Sequence, residues 1–209
     1  MSAAALLDAG LAELGMQLSP AAREGLLSYL ALIRKWNRVY NLTAIRDEHE
    51  AVRQHLLDSL AVLSCLNAYS RIADVGSGAG LPGIVLALAR PSLAVDSIET
   101  VNKKASFQQQ AAMELGLQNF RVINRRVEDM QVDASYDAVI SRAFASLTDF
   151  IAMTAHLLAP GGHWLAMKGV YPQAEIGALP ENGVGRVRSV PLTVPGLDAE
   201  RHLIIVERA

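Results

Sequence analysis

The chain has 209 residues, 51% hydrophobic and 19% charged, with a net charge of −2 and a single cysteine, Cys65. Such a chain can bury a full core as one globular domain, and one cysteine excludes an internal disulfide and a thiolate metal cluster. The slightly acidic balance argues against binding nucleic acid by bulk charge, though not against a local basic face.

From residue 1 to about 66 the pattern is helical. Asp8 and Glu13 interrupt the first apolar segment, which reads as an amphipathic helix and not as a leader peptide. Ser19-Pro20 offers a capping serine and a proline at the first helical position. Leu26, Leu30, Ile33 and Tyr40 then recur near helical spacing, joined by Leu27, Trp36 and Val39. Asn41-Leu42-Thr43 breaks that helix, and a third is expected from about Glu48 to Leu66 with Val52, Leu56, Leu60 and Leu63 on one face. No stretch approaches the roughly 20 apolar residues that span a bilayer, so a cytoplasmic protein without a membrane segment is expected. Arg34, Lys35, Arg38, Arg46 and Arg53 gather in this region, and Arg121, Arg125 and Arg126 form a second group. Solvated helix faces and a local RNA-binding face are both open readings of them.

At Arg71 the texture changes. Arg71–Val75, Ala94–Ile98, Phe120–Asn124, Ala138–Ser141 and Trp164–Met167 are strand candidates, with helices between them around 82–90, 102–115 and 147–158. Gly116 reads as the glycine that ends the second of these helices. Alternating strands and helices imply an α/β fold, a parallel sheet with helices on both faces. Turn signals at Pro180, Asn182-Gly183, Pro191 and Pro195-Gly196 frame two last strands, Arg186–Thr193 and Leu203–Val206, expected as an antiparallel hairpin at one end of the sheet. The expected organisation is one domain over 1–209, in which 1–66 is a helical extension packed on a cofactor-binding α/β core, 67–209.

The first strand runs into a glycine-rich turn, Asp74-Val75-Gly76-Ser77-Gly78-Ala79-Gly80-Leu81-Pro82-Gly83, and then a helix. Missing side chains let backbone approach a ligand, and the helix start offers free N–H groups. Gly78 to Gly83 fits the dinucleotide pattern GxGxxG. Asp74 with Gly76, Gly78 and Gly80 fits another pattern, an acidic residue followed by alternating glycines. The strand ends right before Gly76, so the tight turn starts there, which favours the second. That pattern resembles the first motif of the seven-stranded, Rossmann-like class I S-adenosylmethionine methyltransferases. Glu99, ending the second strand, suits the ribose hydroxyls of NAD and S-adenosyl-L-methionine alike. Val127-Glu128-Asp129 follows the third strand, where that class reads adenine, and Leu158-Ala159-Pro160-Gly161-Gly162 before the fifth strand is typical of the same fold.

A closer resemblance rests on Asn41-Leu42-Thr43, His55-Leu56-Leu57-Asp58-Ser59, Asp74–Gly83, Arg126-Val127-Glu128, Ile140-Ser141-Arg142-Ala143-Phe144-Ala145-Ser146 and Arg201-His202-Leu203, in that order. Together they resemble the bacterial small-subunit ribosomal RNA guanine-N7 methyltransferases, the glucose-inhibited division protein B family, over nearly the whole chain. The resemblance implies methyl transfer from S-adenosyl-L-methionine to N7 of a guanine in a hairpin loop of 16S rRNA, with rRNA or the small-subunit particle as partner. A monomer is expected, and the residues signal no metal. By this match and the fold, backbone at Gly76 and Leu81 contacts the cofactor, within the loop that includes Gly78. Asp74 sits beside the cofactor's amino group, Glu99 binds its ribose, and Val127 and Glu128 frame its adenine. Arg142 is the expected catalytic-site residue, orienting the cofactor carboxylate or holding RNA; a purely structural ion pair is the competing reading.

The chemistry agrees by exclusion. C5-pyrimidine methylation needs a cysteine nucleophile, and Cys65 is far in sequence from the site loops. Exocyclic-amine methylation is usually marked by Asn/Asp-Pro-Pro-aromatic where this chain has Ser141-Arg142-Ala143-Phe144. Guanine N7 has an in-plane lone pair and no proton to lose, so positioning suffices. A small-molecule methyltransferase and a non-catalytic cofactor-fold module are the alternatives. Among weaker candidates, His55 and Asp58 suit core hydrogen bonding better than metal ligation. Trp36 reads as core, with RNA stacking the alternative; Lys168 is open between phosphate contact and plain surface. Phe144 is open between stacking on a flipped guanine and core packing, and Arg201 and His202 between RNA contact and structure.

Overall fold

A computed structural model describes residues 1–131, 135–143, 145–180 and 182–209. Helix α1 (Ala3–Glu13) is capped by Ser2, and α2 (Pro20–Tyr40) by Ser19, whose side chain accepts from Ala22 N with Pro20 in the first turn. Asn41 closes α2 in the left-handed conformation, φ 49°. The third helical stretch starts as α3 (Glu48–Ala51), capped by Asp47, winds as a π helix over Val52–Leu57, and resumes as α4 (Asp58–Leu60). A 3-10 turn over Leu63–Leu66 completes the expected helical region.

The sheet has seven strands in the order β3-β2-β1-β4-β5-β7-β6. Strands β1 (Arg71–Val75), β2 (Ala94–Ile98), β3 (Phe120–Ile123), β4 (Tyr136–Arg142) and β5 (Leu158–Lys168) are parallel. Strand β7 (His202–Arg208) runs antiparallel between β5 and the edge strand β6 (Val184–Pro191). The expected hairpin is therefore present. Helices α5 (Gly83–Ala89) and α6 (Asn102–Glu114) follow β1 and β2, and α7 (Leu147–Thr154) follows β4.

Side chains alternate across the sheet, as pleating requires. Ile72, Ile140, Leu165, Leu203 and Ile205 join one apolar cluster, with residues of α2, α5 and α6. Ala73, Val139, Trp164, Ala166, Ile204 and Val206 join the other, under α7. The first cluster includes Leu7, Leu26, Ile33 and Leu56, so the helical extension and the sheet share one core. Trp164 is 1% exposed, and its indole N–H donates to Thr154 Oγ1 at 3.0 Å, so this buried donor is satisfied. Trp36 packs edge-on to Phe107 of α6, centroids 5.5 Å apart, which bears out its core reading.

Three details differ from the sequence expectation. Strand β5 starts at Leu158, not Trp164, because Pro160-Gly161-Gly162 is absorbed as an irregularity where the register shifts between Tyr136 and Ala138. Helix α7 accordingly stops at Thr154 and gives way to a 3-10 turn, Ala155–Leu157. A short helix, α8 (Gln173–Gly177), stands in a polar stretch without apolar periodicity and was not expected. No helix among the described residues is long and apolar enough to cross a membrane.

Candidate active site

The strand order reverses between β1 and β4, and in open α/β sheets ligands bind beyond the carboxyl ends of strands at that point. Gly76, Glu99, Arg142 and Lys168 all stand at or just past such ends. Two cavities open there. One of about 450 Å³ is lined by Gln54, His55, Asp58, Arg142, Lys168 and Arg201, among others. The second, of about 300 Å³, is lined by Val75, Gly76, Ile98, Val127 and Glu128. The chain leaving β4 contributes to both, Arg142 and Ala143 to the first and Ala145 to the second.

The glycine loop is held from behind. Gly76, Gly78 and Gly80 carry φ of 70°, 60° and 90°. At Gly78 a Cβ would meet nothing within 4 Å, so backbone conformation, not space, demands glycine there. Gly83 is the reverse case: a Cβ would lie 2.7 Å from the Asp74 carboxylate. Ser77, Ser97 and Gln108 form a closed buried network, and Gln108 Nε2 also donates to Gly78 O at 2.8 Å. Tyr29 on α2 donates its hydroxyl to Ala79 O at 2.6 Å, and burial pushes its pKa up, so it stays a donor. These loop-holding residues escaped the sequence reading, although an amide beside Ala105, Phe107 and Ala111 on the buried face of α6 is a legible anomaly. Tyr29→Phe is expected to orphan the Ala79 carbonyl, cost about 1–3 kcal/mol of stability, and weaken ligand binding at the loop; thermal melts and calorimetry check both.

Asp74 is fully buried, and Oδ2 accepts from Gly83 N at 2.8 Å while Oδ1 has no partner among the described residues. Burial raises its pKa to about 7, against the pull of the Gly83 N–H and Arg142; nearby Glu99 adds to the rise. This carboxylate occupies the start of α5. A dinucleotide pyrophosphate needs free N–H groups there, and here it would meet a carboxylate instead. An orphaned buried carboxylate oxygen calls for a cation or a donor, and so fits a ligand ammonium.

Glu99, 5% exposed, accepts from Gly78 N and Val101 N, each at 2.8 Å, so it clamps the loop to β2. Gly76 N donates to Ile98 O and Leu81 N to Ser77 O, so neither N–H is left for a ligand. Gly76, Val127 and Glu128 line the second cavity and Arg142 the first, whereas Asp74, Gly78, Leu81 and Glu99 lie behind them as support. Glu128 pairs with Arg126 at 2.8 Å.

Arg142 Nη1 donates to Gln54 O at 2.7 Å and to Asp58 Oδ2 at 3.1 Å. Asp58 Oδ1 accepts from Arg201 Nε at 2.9 Å, so one buried carboxylate joins α4, the end of β4 and the approach to β7. Beside them His55 is 3% exposed, and its ring nitrogens have no close partner among the described residues beyond a contact with the Gln54 backbone. Burial, then Arg142, lowers its pKa to about 4. Ala143, next to Arg142, carries φ 54°, uncommon for a residue with a side chain and of the kind that collects at functional sites. Phe144 lies outside the described residues.

Lys168 is neither free nor on the surface; its ammonium is held by both Glu175 oxygens and Ala145 O. Of the basic groups, Arg34 pairs with Glu48, Arg53 with Glu50, and Arg121 with Asp96. No cluster of three or more His, Cys, Asp or Glu side chains able to hold a metal occurs among the described residues.

The family model described as rRNA small subunit methyltransferase G matches residues 22–204. A ribosomal RNA small subunit methyltransferase G of Aromatoleum aromaticum is 64% identical over 98% of this chain and 99% of its own. One of the same name from Neisseria meningitidis is 50% identical over 97% of each chain. Among solved structures, a SAM-dependent methyltransferase from Aquifex aeolicus superposes with a TM-score of 0.59 at 18% identity, over 75% of this chain and 93% of that one. TYW2 of P. horikoshii, in complex with MeSAdo, gives 0.55 at 11% identity over 72% and 61%.

Proposed function

The chain belongs to the rRNA small subunit methyltransferase G family, and from that premise we propose that it methylates N7 of a guanine in 16S ribosomal RNA. It is an S-adenosylmethionine-dependent methyltransferase, and this fold is that of the class I enzymes. When bound, S-adenosyl-L-methionine supplies an electrophilic methyl group on its sulfonium.

The site fits that donor. The free Oδ1 of Asp74 suits the donor's ammonium, Glu99 at the end of β2 is assigned to its ribose, and the cavity between Ile98, Val127 and Glu128 suits adenine. Arg142, at the end of β4 in the wall of the larger cavity, is assigned to orient the donor carboxylate against the incoming base.

One observation carries the N7 reading. The carboxylate in the wall of the larger cavity, Asp58, is already engaged by two guanidiniums as a structural tie. Cys65 lines neither cavity. N7 needs neither base nor nucleophile, because its lone pair lies in the ring plane and carries no proton. The protein's part is then to hold two reactants in line, which is worth up to about 7–11 kcal/mol. In this reading the chain acts in the cytoplasm, as a single chain, on the RNA or the small-subunit particle.

The test is transfer of labelled methyl from S-adenosylmethionine to small-subunit particles or rRNA lacking the modification, followed by mass mapping. Label at one guanine N7 is expected. Label on an exocyclic amine or ribose oxygen overturns the N7 assignment, and transfer only to a small acceptor overturns RNA as substrate.

A further inference from the structure

We infer that the cavity of about 450 Å³ receives the ring of the target guanine, and that His55 reads the base by accepting a hydrogen bond from its N1–H. The inference rests on the guanine reading above and deepens it.

The argument starts from supply and demand of acceptors. The ionised side chains around this cavity are mostly cationic donors, Arg142, Arg201 and Lys168. They suit the guanine O6 acceptor, but the Watson–Crick edge of guanine also carries donors, N1–H and the N2 amine. The carboxylates at hand are already engaged: Asp58 by two arginines, Glu175 by Lys168 and Leu147 N. His55 is the buried group left with unmet capacity in its ring. A neutral imidazole has one lone pair to offer, and burial together with Arg142 keeps this ring neutral, its pKa about 4. A contact of the ring with the Gln54 backbone uses one nitrogen as donor and leaves the other to accept from the base.

The bond would also strengthen during the reaction. As N7 takes the methyl group, positive charge spreads over the purine and N1–H becomes more acidic. An acceptor there gains in the transition state relative to the ground state, which is the kind of contact that raises kcat. His55 is too weak a base to remove the proton outright at neutral pH, so the base stays intact.

The experiment compares wild type, His55→Gln and His55→Ala on unmodified small-subunit rRNA, with guanine or adenine at the mapped position. Donor affinity by calorimetry serves as the folding control. Adenine has an acceptor at N1, so wild type should prefer guanine strongly, and the His55→Gln amide, which can present either a donor or an acceptor, should narrow that preference about tenfold or more. His55→Ala should lower kcat about 30-fold or more with donor affinity within about twofold. An unchanged base preference in His55→Gln overturns the inference, and so does a loss confined to donor affinity. If His55→Ala does not fold, the His55→Gln preference decides alone. Wild-type label away from N7 sinks the parent reading, whereas correct wild-type label with an unmoved His55→Gln preference sinks this inference only.

Discussion

Asp74→Asn is expected to make the free protein more stable at pH 8 while weakening its hold on S-adenosylmethionine by about 10²–10³-fold. The stability half follows from linkage. The folded carboxyl releases its proton near pH 7 and the unfolded one near 3.8. Between those values the folded chain binds more protons, so stability falls as pH rises. The full loss above pH 7 is on the order of 4 kcal/mol, from about three units at 1.36 kcal/mol each. Asparagine never ionises, so it escapes this slope. Its amide keeps an oxygen for Gly83 N but buries an NH₂ without an acceptor, at a cost of about 1–3 kcal/mol. The variant should therefore gain on wild type at pH 8 and lose the advantage by pH 4, which denaturant melts at the two pH values will read. The binding half follows because the orphaned Oδ1 is where a ligand ammonium meets its counter-charge. A melt difference that ignores pH would refute the buried-carboxylate account; unchanged calorimetric affinity would refute the ammonium contact.

The contrast between Asp74 and Tyr29 says what the sequence makes legible. Asp74 sits at the end of a strand whose boundaries follow from short-range pattern, and β1 ends at Val75 as expected. That the sheet is parallel is legible for the same reason, since alternating strands and helices leave few topologies, whereas the strand order comes from the structure. Tyr29 reaches Ala79 across fifty residues, and Asp58 reaches Arg201 across 143. Such contacts have no periodicity and depend on how the extension docks. The expectation of free N–H groups at the start of α5 failed on a similar point. Generic helix starts leave those groups open, but Gly83 lets the Asp74 carboxylate come close enough to take its N–H. That local detail, not the glycine count, is what separates this loop from a pyrophosphate cradle.

Arg142→Ala is expected to lower methyl transfer by about 10²–10³-fold, the scale seen when one preorganised donor is removed from a reacting centre. Arg142 touches Gln54 O and Asp58 directly, and its charge reaches Asp74, Tyr29 and His55. Its loss therefore acts along two routes. It frees one side of Asp58, which keeps Arg201, so the stability cost should stay near about 1.5–3 kcal/mol. It also removes a cation that draws the pKa of Asp74 down, so that carboxyl stays protonated to higher pH and meets the ammonium less well. Arg142→Lys should recover little, because both contacts use Nη1 alone and a lysine that replaces them gives up the remaining guanidinium N–H groups that can face the reactants. The second route makes the two sites interdependent. With asparagine at position 74 there is no ionisation left to perturb, so Arg142→Ala should cost less donor affinity in the Asp74→Asn background than alone. A double-mutant cycle on calorimetric affinities at pH 7 measures that coupling. Strict additivity would leave Arg142 acting only through its own contacts, while a non-additive loss would confirm that the arginine tunes the carboxylate.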